Sequence, residues 1–378
     1  MREVVYIVGA GLSKALERPG STIPLMGDFL ATMADHLEKR VVQIAWADFQ
    51  LRRALRWPVC NEIQRFIDKV VHGKTSTPAE VSEVSRLLKR LPAENIETLL
   101  SESPAMRNRI SFVINAIFCA VEWNIDWDCL DKFLRKVLQP QDAKHTFVSF
   151  NYDLILDRGV QRLSPEMGYV WDPLNGYGFN SRETIELENS VEAIPGPADA
   201  GGLESGAGKG VKLDAQRQSN IRILKPHGSV NWVVPFTGNY DAFCDVPPHV
   251  VTDSNGTLMY STEYEPVSWH GLFLIPPAEG KRSSLSFIQR ILDIERQVVR
   301  DADEIYILGW SMPQTDTDQV RLIGDAVRQR SAPLKNLTVV NRGAQIDYFG
   351  RVASTFGIER REVRVFNEGF FDFVQSLQ

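Results

Sequence analysis

The sequence predicts an α/β protein with a doubly wound parallel sheet and a large helical insertion that forms a second domain. Two observations support this fold class. Short apolar runs typical of buried parallel strands recur along the chain, and segments with helical spacing of apolar residues separate several of them. Strands that alternate with helices imply crossover units and a parallel sheet. The predicted strands are Val4–Val8, Phe147–Phe150, Ile221–Leu224, Leu272–Ile275, Ile305–Leu308, Leu337–Val340 and Val363–Phe366.

Helical spacing defines the crossover helices and the insertion. Two apolar stripes predict helices near the later strands, and a longer helical stretch follows the first strand. We expect residues 1–28 and 139–378 to form the sheet domain and residues 29–138 to form the inserted helical domain. A segment at about 163–220 lacks periodicity and is rich in Gly, Pro and polar residues, which predicts a flexible insertion. The two stripes are Leu285, Ile288, Ile291 and Leu292, and Val320, Ile323 and Val327.

Composition and charge argue against several classes of protein. Hydrophobic residues make up 43% of the 378 residues and charged residues 24%, which is ordinary for a globular protein. A net charge of −6 argues against direct binding of nucleic acid by non-specific electrostatics. The four cysteines form no C-x-x-C pair, so we expect neither a metal site nor a disulfide framework. No apolar run reaches the ~20 residues of a membrane span, and we expect a soluble, cytoplasmic protein.

The first candidate motif is the glycine turn after the first predicted strand. Residues Gly9, Ala10, Gly11, Leu12 and Ser13 follow that strand directly. Two glycines let the backbone turn tightly and approach a pyrophosphate, whose charge the next helix's N-terminus favours. The dinucleotide fingerprint has a third glycine where this chain has Lys14. A glycine turn that binds nothing therefore stays open as an alternative.

The second candidate motif follows another predicted strand. Asn151 and Asp153 come directly after the strand that ends at Phe150. In open α/β sheets, ligand-handling side chains lie at the carboxyl ends of strands. Asn and Asp are also common in the turns that end strands, so a purely structural role for this pair remains an alternative.

A third motif contains the candidate acid or base. Of the six histidines, His227 alone lies between a predicted strand and a glycine turn, at Gly228. Imidazole is the natural acid and base near neutral pH. Taken by itself, His227 is better described as a packed or surface histidine.

Two further strands run into polar turns. The strand ending at Leu308 continues into Gly309, Trp310 and Ser311, and the strand ending at Val340 continues into Asn341. Glycine amides, a hydroxyl and a carboxamide suit contacts to phosphate and ribose.

Taken together and in this order, the motifs resemble the sirtuin superfamily. Its deacylase members carry G-A-G-x-S, Q-N-x-D, H-G, G-[TS]-S and a late V-x-N. The resemblance spans almost the whole chain and implies a Rossmann-like NAD-binding domain. The matching segments are Gly9–Ser13, Asn151–Asp153, His227–Gly228, Gly309–Ser311 and Val339–Asn341.

The departures from the deacylases indicate another branch of the superfamily. The four-cysteine zinc ribbon is missing, and Phe150 replaces the motif glutamine. Several segments resemble the bacterial sirtuin-like branch of antiphage defence systems, whose members mostly hydrolyse NAD. A stand-alone chain of this length looks most like the subunit encoded beside a HerA-type ATPase, and versions paired with a short Argonaute are neighbouring possibilities. The segments are Asn95–Ser101, Lys225–Trp232, Gly309–Asp316 and Phe366–Phe373.

The resemblance also implies a role for each candidate residue. Asn151 is expected to position water and the nicotinamide ribose, His227 to act as general base, and Asp153 to accept from the nicotinamide carboxamide. Asn341 is expected at the adenosine ribose. The residues expected around the pyrophosphate are Gly9, Ala10, Gly11 and Ser13 with the turn of Gly309 and Ser311.

The function that we expect is an NAD glycohydrolase that releases nicotinamide and ADP-ribose and depletes NAD as a defence effector. One alternative is a non-catalytic subunit that senses NAD or ADP-ribose and regulates a partner ATPase or nuclease complex. Protein deacylase or ADP-ribosyltransferase activity is a third. We also expect a homo-oligomer assembled through residues 29–138, although the large apolar residues there can equally form that domain's own core.

Overall fold

The computed structural model describes part of the chain, and the structural statements below concern that part. The inserted helical domain predicted at residues 29–138 lies outside it, except for residues 125–138. The described residues are 1–19, 23–25, 125–139, 142–163, 165–167, 171–179, 184–187, 220–235, 247–253, 256–258, 270–275, 285–313 and 316–377.

Ten strands within these ranges form two sheets. The larger sheet has six strands, all parallel, and the smaller sheet has four. The predicted parallel α/β sheet is therefore confirmed. The strands are β1 (Arg2–Val8), β2 (Ala143–Ser149), β3 (Thr184–Leu187), β4 (Ile221–Leu224), β5 (Gly228–Pro235), β6 (His249–Asp253), β7 (His270–Leu274), β8 (Glu304–Leu308), β9 (Asn336–Val340) and β10 (Val363–Phe366).

The order of the six parallel strands is β4-β2-β1-β8-β9-β10. Counted along the chain within this sheet, that order is 3-2-1-4-5-6, the arrangement of Rossmann-type sheets. The winding direction reverses between β1 and β8, so the crevice that such sheets use for ligands opens at the carboxyl ends of these two strands. The core strand β1 is almost fully buried from Val4 to Val8.

Helices flank the parallel sheet and pack in two groups. One group joins α2, α3 and α8, and the other joins α5, α6 and α7, with α5 against β1. Both helices predicted from the apolar stripes are confirmed, as α5 and α6. The helices are α1 (Ala10–Ala15), α2 (Trp127–Val137), α3 (Ile155–Leu163), α4 (Pro173–Gly176), α5 (Ser286–Asp301), α6 (Thr317–Arg328), α7 (Ile346–Phe356) and α8 (Phe370–Ser376). None of the helices in the described ranges is long and apolar enough to cross a membrane.

The smaller sheet is a feature that the sequence analysis did not predict. Its order is β3-β6-β5-β7, and β5 runs antiparallel to both β6 and β7. The run Leu272–Ile275, which we placed among the alternating parallel strands, forms most of β7 in this sheet instead. A short apolar run is typical of buried strands in either arrangement. Trp232 of β5 is fully buried against Tyr177 and Phe179.

The segment predicted as a flexible insertion is described only in part. Residues 165–167, 171–179 and 184–187 are described, and they include α4 and β3. Tyr177 within this segment is fully buried. Residues 191–219 lie outside the described ranges.

Candidate active site

The glycine turns that follow β1 and β8 touch each other at the reversal point of the sheet. The amide of Gly11 donates to the carbonyl of Gly309 over 2.9 Å, and a Cβ atom at Gly9 would lie 2.6 Å from Cα of Trp310. Gly309 has φ +64, and a Cβ there would lie 2.3 Å from the amide nitrogen of Leu12. The close approach of two backbones therefore requires these glycines. Ala10 is exposed beside them. That these glycines and Ala10 contact a pyrophosphate stays a prediction.

Ser13 connects the first glycine turn to the end of β2. Its hydroxyl donates to Oδ2 of Asp153 over 2.8 Å and accepts from Nδ2 of Asn151 over 3.0 Å. The same nitrogen donates to the carbonyl of Gly9 over 3.2 Å. Both amide hydrogens of Asn151 are thus used within the chain, which leaves its carbonyl oxygen Oδ1 to receive a hydroxyl group or water. The structure therefore brings Gly9, Ser13, Asn151 and Asp153 together.

The surroundings of Asp153 shift the pKa of its carboxyl group in opposite directions. Burial raises the pKa of its carboxyl group, while the charge of Lys225 and the hydrogen bonds from Ser13 and the Ile155 amide lower it. Only 3% of the residue is exposed. Both carboxylate oxygens already accept hydrogen bonds within the chain, and acceptance from a nicotinamide carboxamide stays a prediction.

A buried ion pair holds the segment before His227 against the end of β2. Lys225 is fully buried, and its Nζ donates to the carbonyl of Asp153 over 2.6 Å and to Oδ2 of Asp157 over 3.2 Å. The hydroxyl of Tyr177 donates to Oδ1 of Asp157 over 2.7 Å. The pair therefore fixes the turn between β4 and β5 relative to Asn151. The sequence analysis quoted Lys225 only as part of a motif and missed Asp157.

His227 lies on that turn, with 4% of its surface exposed. Its ring centroid is 5.3 Å from that of Phe150 and 6.5 Å from that of Tyr152, the residues on either side of Asn151. The amide of Val230 donates to the carbonyl of Tyr152 over 3.1 Å. The structure thus places the two predicted catalytic residues on adjoining turns at the carboxyl edge of the sheet.

An acidic residue that the sequence analysis did not single out also faces His227. Oδ1 of Asp316 lies 3.8 Å from Nε2 of His227, and Oδ2 accepts from Nε1 of Trp310 over 3.1 Å. Asp316 occupies the N-cap position of α6, yet its side chain makes no capping hydrogen bond. In a sequence, an Asp before an apolar helix is typical of an N-cap. The sequence analysis therefore gave no reason to expect a contact between Asp316 and His227.

The turn after β8 is held from α7. The hydroxyl of Tyr348 donates to the carbonyl of Trp310 over 2.6 Å, and the guanidinium of Arg351 donates to the carbonyls of Ser311 and Met312 over 3.3 and 3.0 Å. Met312 has φ +52, a conformation that costs a side-chain-bearing residue energy and persists only when its surroundings enforce it. The predicted phosphate contact Ser311 is exposed on this turn.

Asn341 lies one strand further from the reversal point, after β9. Burial raises the pKa of the Tyr348 hydroxyl, and the nearby side chain of Asn341 acts against that rise. The same hydroxyl donates to the Trp310 carbonyl. Asn341 thus lies near the turn of Gly309 but apart from Asn151 and His227. A groove of about 760 Å³ opens beside the same turn between α6 and α7, and Met312 and Arg351 line it.

A second buried acid lies behind Asp316. Glu295 of α5 is fully buried, and burial together with the charge of Asp316 raises its pKa to about 8. The side-chain nitrogen of Gln319, when turned toward it, donates to both carboxyl oxygens over 3.0 and 3.3 Å. Glu295 is therefore neutral near pH 7. No group of three or more His, Cys, Asp or Glu side chains suited to a metal ion occurs within the described ranges.

Comparison with known proteins adds no assignment. No protein-family model matches the chain, and no curated protein matches it.

Proposed function

We propose that this protein is an NAD glycohydrolase of the sirtuin-like type. The observation that supports this function best is the placing of Asn151 and His227. Both lie at the carboxyl edge of a sheet with the Rossmann strand order, next to the reversal point between β1 and β8. Dinucleotides bind at this point in such sheets, and an amide and an imidazole are groups that can position and deprotonate water there.

The proposed reaction breaks the bond between nicotinamide and ribose. NAD and water give nicotinamide, ADP-ribose and a proton, through a transition state with oxocarbenium character at the anomeric carbon. Oδ1 of Asn151 receives the water or a ribose hydroxyl, because Gly9 and Ser13 occupy its nitrogen. His227 takes the proton of the water as its oxygen bonds to the anomeric carbon. The electron pair of the broken bond leaves with nicotinamide.

The remaining candidate residues are assigned to binding. Asp153 holds the nicotinamide carboxamide, the turns of Gly9–Ser13 and Gly309–Ser311 lie along the pyrophosphate, and Asn341 contacts the adenosine ribose. The contact between the two turns supports this arrangement, because it sets both at one place on the sheet edge. Side chains held in place before substrate arrives lose little entropy in the transition state.

The sequence resemblance supports a proposal about the biological setting. We propose that the chain acts in the cytoplasm as an antiphage effector that depletes NAD, with a HerA-type ATPase, or a short Argonaute, as partner. We further propose a homo-oligomer built through residues 29–138. Because unrestrained NAD hydrolysis would kill the host cell, we expect the partner or an infection signal to control the activity.

The test is nicotinamide release from NAD by the purified full chain, alone and with the product of the neighbouring gene. Asn151→Ala and His227→Ala are each expected to reduce release ~10²–10⁴-fold while the circular dichroism spectrum is retained. Asn336→Ala is the matched control, because Asn336 lies at the amino end of β9, on the opposite edge of the sheet. Release that persists at the wild-type rate in His227→Ala would refute the assignment. NAD binding without any release would instead favour a sensing role.

A further inference from the structure

We propose that Asp316 is the positioning residue of His227: its carboxylate orients the imidazole and makes it a stronger base. This inference rests on the proposed function, because it assigns His227 its partner in the same reaction. It adds a residue to which the sequence resemblance gave no role. The residue acts through His227 rather than by touching the substrate.

The geometry of three side chains carries the proposal. Asp316 is 95% buried, and its two oxygens face different partners: Oδ1 lies 3.8 Å from Nε2 of His227, and Oδ2 accepts from Nε1 of Trp310 over 3.1 Å. The indole N–H fixes the carboxylate in this orientation, since both groups are planar and buried. Both side chains are buried, so the separation of 3.8 Å places the carboxylate where its charge acts strongly on the imidazole.

The position of Asp316 at the start of its helix does not account for the orientation of its side chain. An N-cap aspartate normally accepts from the amides of the first helical turn. Asp316 stands at the N-cap of α6 and makes no such bond. Its carboxylate accepts from Trp310 and faces His227.

A carboxylate at this place determines which nitrogen of His227 carries the proton. The negative charge favours a proton on Nε2, and the lone pair of the neutral ring then resides on Nδ1. It also stabilises the imidazolium that forms when His227 takes a proton from water. A hydrogen-bonded carboxylate has this function in other enzymes with a histidine base.

Two other titratable groups of the described chain face the pair. Tyr152 packs beside His227 and donates its hydroxyl proton to the carbonyl of Ile275, and burial raises its pKa. Glu295 lies behind Asp316 and is neutral near pH 7. Neither group therefore adds a negative charge next to the pair at neutral pH. Asp316 is the group whose change should alter the titration of His227.

The decisive variant is Asp316→Asn in the full chain. Its amide has nearly the shape of the carboxylate, but it has no charge and favours the other tautomer. We expect kcat for nicotinamide release to fall ~10²–10⁴-fold with little change in KM, and the pH at which activity is half-maximal to fall. Asp316→Glu should restore part of the rate. In a His227→Ala background, Asp316→Asn should cause no further loss, because both changes remove one function.

Two further variants distinguish a loss of His227 positioning from a loss of activity caused by misfolding. Asp318→Asn, on the same helix turn and partly exposed beside Arg321, is the matched control and should keep wild-type kcat. Trp310→Phe keeps an aromatic ring but removes the hydrogen bond to Asp316, and it should lower kcat less than Asp316→Asn does. Equal losses for Asp316→Asn in the wild-type and the His227→Ala backgrounds would overturn the proposal.

A measurement without turnover distinguishes this inference from the proposed function. We expect Asp316→Asn to lower the pKa of His227, followed by NMR of the imidazole, by about 1 or more relative to the unaltered chain. An unchanged pKa would overturn the pairing even if the protein cleaves NAD. A lowered pKa in a protein that never releases nicotinamide would support the pairing and refute the proposed hydrolase.

Discussion

The hydroxyl of Ser13 donates to Oδ2 of Asp153 over 2.8 Å and so joins α1, the helix that follows β1, to the end of β2. The two residues are 140 positions apart in the sequence. Because Ser13 also accepts from Asn151, one hydroxyl sets the orientation of both side chains.

Removing this hydroxyl should weaken both stability and activity. In Ser13→Ala, the amide of Asn151 loses an acceptor and Asp153 loses a donor in a buried place. We expect the free energy of unfolding to fall by about 1–3 kcal/mol, with a drop in nicotinamide release, measured by urea titration and a release assay. Ser376→Ala removes a hydroxyl in the last helix and should change the free energy by no more than about 0.5 kcal/mol. Equal behaviour of the two variants would contradict the role of Ser13.

Because the two glycine turns are in contact, we expect a methyl group added at Gly309 to lower the free energy of unfolding strongly. Gly309→Ala combines an unfavourable φ with a Cβ that overlaps the Leu12 amide. Gly357→Ala is the matched control, because Gly357 has φ +60 but no atom within 4 Å of the added Cβ. We expect Gly357→Ala to cost about 1–2 kcal/mol and Gly309→Ala to cost about 1–3 kcal/mol more, by chemical denaturation. Similar costs would show that the turns can move apart.

The buried ion pair between Lys225 and Asp157 should be costly to break. Lys225→Met leaves the Asp157 carboxylate without its cation, and we expect a loss of about 3–5 kcal/mol in the free energy of unfolding. Lys335→Met removes the cation of an exposed pair with Asp303 and should cost less than about 1 kcal/mol. The comparison needs only denaturation curves of the two variants and the wild type. A small effect at Lys225 would mean that Tyr177 alone satisfies Asp157.

The raised pKa of Glu295 predicts how the free energy of unfolding depends on pH. Its pKa is about 8 in the folded chain and 4.5 ordinarily, so between these values the folded state holds a proton that the unfolded state has lost. Its contribution to stability is therefore complete below about pH 4.5 and is lost as the pH rises toward 8. Glu295→Gln should flatten this decline and raise stability at pH 8. Glu368→Gln, at an exposed position, should leave the curve unchanged.

Local patterns predicted most of the parallel sheet. The strand ending at Val8 and the strand Ile221–Leu224 were visible because buried parallel strands are apolar throughout. The assignment of Leu272–Ile275 to the same sheet was wrong, since an apolar run does not tell which neighbour a strand will pair with. That pairing depends on β5, some forty residues away in the sequence, and on packing that only the fold creates.

The site residues that could be predicted from sequence are polar residues that directly follow a predicted strand. Asn151, Asp153 and His227 follow strands, and the sheet brings them to one edge. Asp316 and Glu295 escaped notice because each has an ordinary explanation in sequence. An acid before an apolar stripe resembles a cap, and an acid between Asp293 and Arg296 resembles a solvent-facing residue of an amphipathic helix. Their burial arises from the packing of α5 against α6, which no local pattern encodes.

The contact between the two glycine turns bears on which amino-acid substitutions the protein can accept near the candidate site. Backbone atoms of both turns form this contact, and Tyr348 and Arg351 hold the second turn from α7. Ala10 and Ser311 project from the same two turns and are exposed. Replacements at these two positions should alter ligand preference while leaving the scaffold intact, which makes the pair a natural starting point for directed evolution.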